Sequence, residues 1–260
     1  MHSMMSLSTF GRTVTRVAAG LALFAALGIG NVRGQIPGIP EEFTNLKFFP
    51  DSISQRELVG VMRSFAFGLG VRCEFCHVGE PGQPLSTFDF AADEKPTKEK
   101  ARAMLQMVAD INTVYLAELS ERSEPAIEVN CSTCHHGVSK PAPTQDVVVA
   151  KVAEEGTEAG IAEYHRLRDE YYGTFSYDFS ESVLTDVAER VTPDRGSDAA
   201  LAFLELNAEL FPESLGTQIA MARTHQAAGN NEAAIAALER ALELAPGNPR
   251  IQQMLDRIRN

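Results

Sequence analysis

Two short stretches of the chain combine thiols and imidazoles at the same spacing. They read "CEFCHVG" from Cys73 and "CSTCHHG" from Cys131, and they contain all four cysteines of the sequence. Each forms a Cys-x-x-Cys pair that is followed at once by a histidine. Histidine makes up only 6 of the 260 residues, so chance placement of one after each pair is rare. The shared spacing indicates that both stretches serve the same chemistry.

Covalent attachment of haem c requires this order of residues. Two cysteines form thioether bonds to the porphyrin, and the imidazole that follows them ligates the iron. The sequence therefore predicts two haem c groups, with His77 and His135 as iron ligands. The residues predicted to hold them are Cys73, Cys76 and His77 for the first, and Cys131, Cys134 and His135 for the second.

Zinc binding and disulfide formation are the alternative uses of the four cysteines. Paired zinc ligands usually lie about 15–20 residues apart. Cys76 and Cys131 are separated by a longer segment that contains a predicted helix, and zinc gives no reason for both trailing histidines. A thioredoxin-like site is disfavoured because no matching strand–helix pattern surrounds either pair. For His136 we expect an exposed ring or one bonded to a propionate. A role in supporting or ligating a haem is the alternative.

A predicted amphipathic helix, "SISQRELVGVMRSFAFGLG", precedes the first pair. Ser54 and Glu57 have the spacing of a capping box at its start, and Gly68 and Gly70 suit its end. Its apolar residues recur at helical spacing: Leu58, Met62, Phe65 and Leu69. If the helix runs antiparallel to the motif, Met62 can reach the open face of the iron, where a thioether ligand raises the reduction potential. A plain core role for Met62 is the alternative.

A second predicted helix, "TKEKARAMLQMVADINTVYLAEL", precedes the second pair. Thr97, directly after Pro96, is the predicted N-cap. One face carries Met104, Met107, Val108, Ile111 and Tyr115. Either methionine can reach the second iron, and the spacing does not choose between them.

The order helix with methionine, turn, Cys-x-x-Cys-His resembles the cytochrome c subunit of photosynthetic reaction centres. The matching stretches are "LVGVMRSFAFGLGVRCEFCHVG" and "KEKARAMLQMVADINTVYL…VNCSTCHHG", within about residues 45–141. The resemblance implies that Met62 is the sixth ligand of the first haem and that Met107, rather than Met104, serves the second. The family carries four haem segments and this chain has two motifs, so donation to a photo-oxidised pigment is not implied.

The N-terminus has the pattern of a secretory signal peptide. Arg12 and Arg16 precede an apolar run over residues 17–30, and small residues follow. We expect residues 1–34 to be a signal peptide and the mature chain to be exported to the periplasm. Retention as an anchor at the inner membrane is the alternative. The net charge of −12 argues against nucleic acid as a partner. It fits a basic protein partner, and a solvated acidic surface without a partner is the alternative.

The C-terminal half contains a 34-residue repeat. The segment "LGTQIAMARTHQAAGNNEAAIAALERALELAPGN" resembles a tetratricopeptide repeat, with Gly229 between its two helices. A more diverged copy precedes it, and "IQQMLDRIR" is a predicted closing helix. The stretch "KPAPTQD", residues 140–146, has the composition of a linker. We therefore predict a haem domain over residues 35–146 and a repeat domain over residues 147–260.

The expected protein is mostly α-helical: a dihaem cytochrome c domain followed by a tetratricopeptide-like helical domain. The expected function is the transfer of single electrons between protein redox partners, with no bond chemistry and no small-molecule substrate. The repeats would dock the protein to a partner, for which a membrane-bound photosynthetic or respiratory complex is a candidate. A stabilising solenoid without a partner is the alternative. The alternatives are a dihaem peroxidase with one open iron, and a redox-sensing interaction protein that contains haem.

Overall fold

The computed structural model describes residues 36–260. The predicted signal peptide, residues 1–34, lies outside this part of the chain. The described residues form one compact unit that contains no strand, apart from an isolated antiparallel bridge between Val78 and Asp89. The prediction of a mostly α-helical protein is thus confirmed. Within the described residues, every helix is too short or too polar to span a bilayer.

Helix α1, Gln55–Leu69, is the predicted amphipathic helix ahead of the first motif. The side chain of Ser54 accepts a hydrogen bond from the backbone of Glu57, and the Glu57 carboxylate accepts one from the backbone of Ser54. The predicted capping box is confirmed. Gly70 ends the helix in the left-handed conformation at φ 64°, as its position after the last apolar residue indicated.

Helix α2, Pro96–Asp110, continues as a π-helical turn over Ile111–Tyr115. Its N-cap is Lys95, so the prediction of Thr97 as N-cap is wrong. Pro96 occupies the first helical position, where its missing N–H costs nothing, and this moves the helix start ahead of Thr97. The Thr97 hydroxyl instead donates to the carbonyl of Phe75, at 2.5 Å.

The two Cys-x-x-Cys-His motifs both adopt helical turns. The first begins with a 3-10 turn over Cys73–Phe75. The second is the short helix α3, Cys131–His135, whose N-terminus is capped by Asn130.

The remaining helices make up the C-terminal half. They are α4 (Thr144–Glu155), α5 (Thr157–Tyr171), α6 (Glu181–Leu210, kinked at Gly196), α7 (Leu215–Ala227), α8 (Asn231–Leu244) and α9 (Pro249–Arg259). Gly229, at φ 79°, separates α7 from α8 as predicted, and α9 is the predicted closing helix. Helix α4 begins within the predicted linker, at Thr144. The buried hydroxyl of Thr144 donates to the carbonyl of Asp178. The domain division at residue 146 stays a prediction.

The apolar core lies almost entirely in this C-terminal half. One cluster joins α4, α5 and α6 around Tyr164 and Phe203, and a second joins α7, α8 and α9 around Leu238 and Ile251. Between residue 36 and the start of α4, the buried large apolar side chains are Leu58 and Val138. The region that carries both motifs therefore has little apolar core of its own.

A close approach of glycine backbones joins α1 to the second motif; we call it the glycine seam. The N–H of Gly137 donates to the carbonyl of Gly68, at 2.9 Å. Gly68 packs against Ser132 and Cys131, and a methyl group at Gly70 would overlap the carbonyl oxygen of Gly137. The first helix is thus held against the motif that lies farther along the chain.

Replacing Gly70 with alanine is expected to open the glycine seam. The substitution places a side chain at positive φ and into the Gly137 carbonyl, so we expect the free energy of unfolding to fall by about 1–3 kcal/mol. Gly60→Ala in the same helix is the matched control, because a side chain there meets nothing within 4 Å. That control should gain up to about 1 kcal/mol of helix stability. Denaturant unfolding of the haem-loaded protein measures both. Equal stability of the two variants would contradict the claim that the glycine seam stabilises the fold.

Candidate haem-binding site

The first motif is held from outside by the start of α2. The N–H of His77 donates to the carbonyl of Cys73 at 2.9 Å, so Cys73 and Cys76 lie on one helical turn with the imidazole next to them. The carbonyls of Glu74 and Phe75, between the two cysteines, accept hydrogen bonds from Lys95 and Thr97. Both backbone oxygens between the thiols are therefore fixed by side chains of the next helix.

The His77 ring packs edge to face against Phe90, with ring centroids 5.0 Å apart. Burial, and after it the charge of Lys98, lowers the pKa of His77, so the ring is neutral near pH 7. A neutral imidazole has a lone pair that is free for a metal. Its Nδ1 is buried without a hydrogen-bond partner, which in a native site calls for an explanation such as a ligand.

A buried lysine holds the segment that carries Phe90. The ammonium of Lys98 donates to the carbonyls of Phe90, Ala91 and Ala92 at 3.0, 2.9 and 2.7 Å. It also pairs with Asp93 at 3.0 Å. These four acceptors surround the ammonium and leave it little freedom.

Asp93 is shared by three cations. Its carboxylate lies 2.9 Å from Lys47 and 2.9 Å from Arg102, in addition to Lys98. Hydrogen bonds from Arg102, Asn45 and these lysines hold the pKa of Asp93 well below its usual range. The cluster therefore stays ionised at any physiological pH.

In the second motif a hydrogen bond orients His135, the histidine that is predicted to ligate the iron. The Nδ1 of His135 lies 2.9 Å from the carbonyl of Val138. A carbonyl can only accept, so Nδ1 carries the proton and Nε2 keeps the lone pair that a metal needs. His136 is exposed, in agreement with the expectation, and ends α3 at φ 48°. Its carbonyl accepts a hydrogen bond from Ser176 at 2.5 Å, which joins the repeat region to this motif.

Asn112, in the π-helical turn, clamps the chain that enters the second motif. Its amide nitrogen donates to the carbonyl of Val129 at 2.7 Å, and its amide oxygen accepts from the Val129 N–H at 2.8 Å. Val129 lies two residues before Cys131. The end of α2 is therefore fixed to the second motif as firmly as its start is fixed to the first.

The three candidate methionines lie on the helices that were predicted to carry them. Met62 is half-buried on α1. Met104 and Met107 on α2 are both exposed, at 49% and 46%. Exposure thus does not separate them, and the roles of Met62 and Met107 as axial ligands stay predictions.

The donor set fits haem c better than the alternatives. All four cysteines are free, and burial raises the pKa of Cys76 and Cys131, which keeps these thiols neutral rather than reactive thiolates. Within the described residues, no three His, Cys, Asp or Glu side chains converge as a metal site would require. Exposed apolar side chains of α2, its π-helical turn and the loop that follows could cover a flat apolar ring: Met104, Met107, Val114, Tyr115, Leu119 and Ile127.

Several residues that shape the site could not be identified from the sequence alone. Lys98 and Arg102 have the four-residue spacing of one helix face, which was the only available signal for them. Nothing in the sequence pointed to the Asn112–Val129 pair, because a clamp across 17 residues depends on how the chain folds back. The close packing of Phe90 on His77 could not be inferred from the sequence either.

Comparison with known proteins agrees with this geometry. Residues 50–151 match the family described as "Photosynthetic reaction centre cytochrome C subunit", and residues 215–255 match the tetratricopeptide repeat. The chain thus resembles the reaction-centre cytochromes over its motif region and carries a tetratricopeptide repeat near its end. A cytochrome c match indicates covalently bound haem c and a role in electron transfer.

Three curated relatives show the same similarity. Cytochrome c-554 of Chloroflexus aurantiacus is 30% identical over 97 residues, which is 34% of this chain and 21% of that protein. The photosynthetic reaction center cytochrome c subunit of Roseobacter denitrificans is 28% identical over 159 residues, 55% of this chain and 38% of that protein. Its counterpart in Rubrivivax gelatinosus is 30% identical over 92 residues, 32% and 23% respectively. The chain therefore spans well under half the length of these relatives.

Replacing Asn112 with alanine should loosen the second motif. The change removes both hydrogen bonds to Val129, and we expect a loss of about 1–3 kcal/mol in the free energy of unfolding. Gln106→Ala is the matched control, because exposed Gln106 bonds only Asp110 on the same helix. Denaturant unfolding, followed by the haem absorbance, measures both variants. If Asn112→Ala is as stable as Gln106→Ala, the two hydrogen bonds between Asn112 and Val129 contribute nothing to the stability of the fold.

Proposed function

We propose that this chain is an exported dihaem cytochrome c that carries single electrons between protein partners. The observation that carries the proposal is the pair of Cys-x-x-Cys-His turns, each with a histidine prepared for a metal. One ring is neutral through burial, and the other has its proton fixed on Nδ1. The similarity to reaction-centre cytochromes supports the same role.

Each residue of the two turns has a defined part in this function. Cys73 and Cys76 anchor the first haem, and Cys131 and Cys134 anchor the second. His77 and His135 would each supply one ligand to an iron, and Met62 and Met107 would each supply a second. Bound haem c provides an iron that gains and loses one electron. The protein's task is to hold that iron between two fixed side chains so that its surroundings change little between oxidation states.

A six-coordinate iron leaves no open position for a substrate, so we propose an electron carrier and not an enzyme. A peroxidase needs one iron with a weak or absent sixth ligand and acid–base groups beside it. The relatives named above are cytochromes of the electron-transfer kind, which supports the same conclusion.

The C-terminal helices are proposed as the docking part of the protein. Stacked helix pairs of the tetratricopeptide type commonly bind proteins, and acidic residues outnumber basic ones in residues 147–260. The turn between α5 and α6 presents Tyr172 and Phe175 to solvent, and its Ser176 bonds the carbonyl of His136. A basic partner bound near this turn would lie beside the second motif. A membrane-bound photosynthetic or respiratory complex is a suitable partner, given the names of the relatives.

Export to the periplasm is proposed from the N-terminal basic and apolar pattern. Haem c attachment in bacteria takes place outside the cytoplasm, so the motifs and the proposed location agree. Retention of residues 1–34 as an inner-membrane anchor is compatible with the same function.

The axial methionines give a direct test of the proposal. Met62→Ala and Met107→Ala should each lower one of two reduction potentials, because a thioether ligand favours ferrous iron. Met104→Ala is the control for Met107→Ala, since the two side chains are equally exposed on one helix. Redox titration of the full chain, loaded with haem by maturation machinery, measures the potentials. A variant that leaves both potentials in place removes that methionine from the ligand set.

The optical spectrum of the unmodified protein separates carrier from peroxidase. The proposal expects two low-spin haems with a methionine–iron charge-transfer band and no binding of cyanide or peroxide. One high-spin haem that binds either ligand would contradict it and favour peroxidase chemistry.

A further inference from the structure

The charged side chains near the two motifs differ: cations contact the first motif, and acidic residues precede the second. Lys95 and Lys98 both bind the backbone around the first motif, and Arg102 and Lys47 lie on the same acidic residue as Lys98. Three of these cations, Lys47, Lys98 and Arg102, are thus in contact with two carboxylates, those of Asp93 and Glu99. This cluster of contacting side chains carries one more positive than negative charge, in a protein that is acidic overall.

The chain that leads into the second motif is acidic. Four glutamates and one arginine lie between the π-helical turn and Asn130: Glu118, Glu121, Glu124, Glu128 and Arg122. All four glutamates are exposed, so water and salt screen them strongly. The asymmetry between the two sites therefore depends mainly on the two cations that are largely buried, Lys98 and Arg102, with 11% and 14% of their side chains exposed. Arg102 is paired with both Asp93 and Glu99, whereas Lys98 is paired with Asp93 and otherwise contacts backbone carbonyls.

We infer that Lys98 is a positioning residue for the first haem and that its buried charge gives this haem the higher of the two reduction potentials. The inference rests on the proposed function and deepens it. Lys98 acts through a short chain of contacts: its ammonium holds the carbonyls of residues 90–92, Phe90 packs on His77, and His77 ligates the iron.

The physical reason is the charge of the iron site in its two oxidation states. Oxidation adds one positive charge, and the ammonium of Lys98, which is largely shielded from water, opposes that addition more strongly than an exposed charge would. Asp93 offsets only part of this effect, because it is shared with Lys47 and Arg102 and is 36% exposed. An electron shared between the two sites would therefore reside mainly on the first.

The test is a redox titration of the haem-loaded full chain and of Lys98→Met, which keeps the length of the side chain and removes the ammonium. We expect two one-electron waves in the unmodified protein and a downward shift of the upper wave alone in Lys98→Met. Lys100→Met is the matched control: it removes the same charge from the same helix at an exposed position. It should shift the upper wave much less. Lys98→Arg, which retains the charge, should keep the upper wave close to its potential in the unmodified protein.

A variant with Cys73→Ser and Cys76→Ser identifies the wave that belongs to the first haem, because that wave should be missing. If Lys98→Met does not fold, Lys95→Met serves in its place, since Lys95 binds the carbonyl of Glu74 inside the motif. It should lower the same wave.

The inference is overturned if the lower wave moves, if neither wave moves, or if Lys100→Met shifts the upper wave as much as Lys98→Met. Each of these results leaves the two waves of the unmodified protein in place, and so leaves the proposed function standing. Absence of two redox waves in the unmodified protein would instead overturn the proposed function itself.

Discussion

The hydrogen bond from the Gly137 N–H to the Gly68 carbonyl joins parts of the chain that are far apart in sequence. It requires two backbones to meet without side chains between them, which the glycines at 68, 70 and 137 allow. The region around both motifs has few buried apolar side chains, so hydrophobic burial cannot hold it together alone. Bonds from side chains to backbone carbonyls take over much of this task, as those of Lys98, Thr97 and Asn112 show.

Helix α2 connects the two candidate haem sites. Its first turn fixes the backbone of the first motif through Thr97, and the turn that follows it fixes the entry to the second motif through Asn112. At about 1.5 Å per residue, these two residues are about 22 Å apart along the helix axis. The positive end of the helix dipole lies at the first motif, which adds to the cations there. One helix thus sets the spacing of the two motifs, and its basic residues Lys98 and Arg102 lie near the first of them.

The sequence was sufficient for features that depend on local spacing. The capping box at Ser54, the helix end at Gly70 and the helix break at Gly229 were all predicted, since each depends on residues a few positions apart. Thr97 was misplaced because a proline beside it shifted the helix start by steric rules that compete with capping. The Lys98 cluster and the Asn112 clamp required knowledge of how distant segments fold back on one another. The axial roles of Met62 and Met107 depend on the same kind of information and stay predictions.

The central claim is that each of the two motifs carries one covalently bound haem. The most direct measurement is the intact mass of the full chain under denaturing conditions, after expression with haem-maturation machinery. The account predicts a mass increase of two haem groups, and of one group when either cysteine pair is replaced by serine. A chain that carries no added haem mass would contradict this claim. It would favour zinc binding or disulfide formation by the four cysteines.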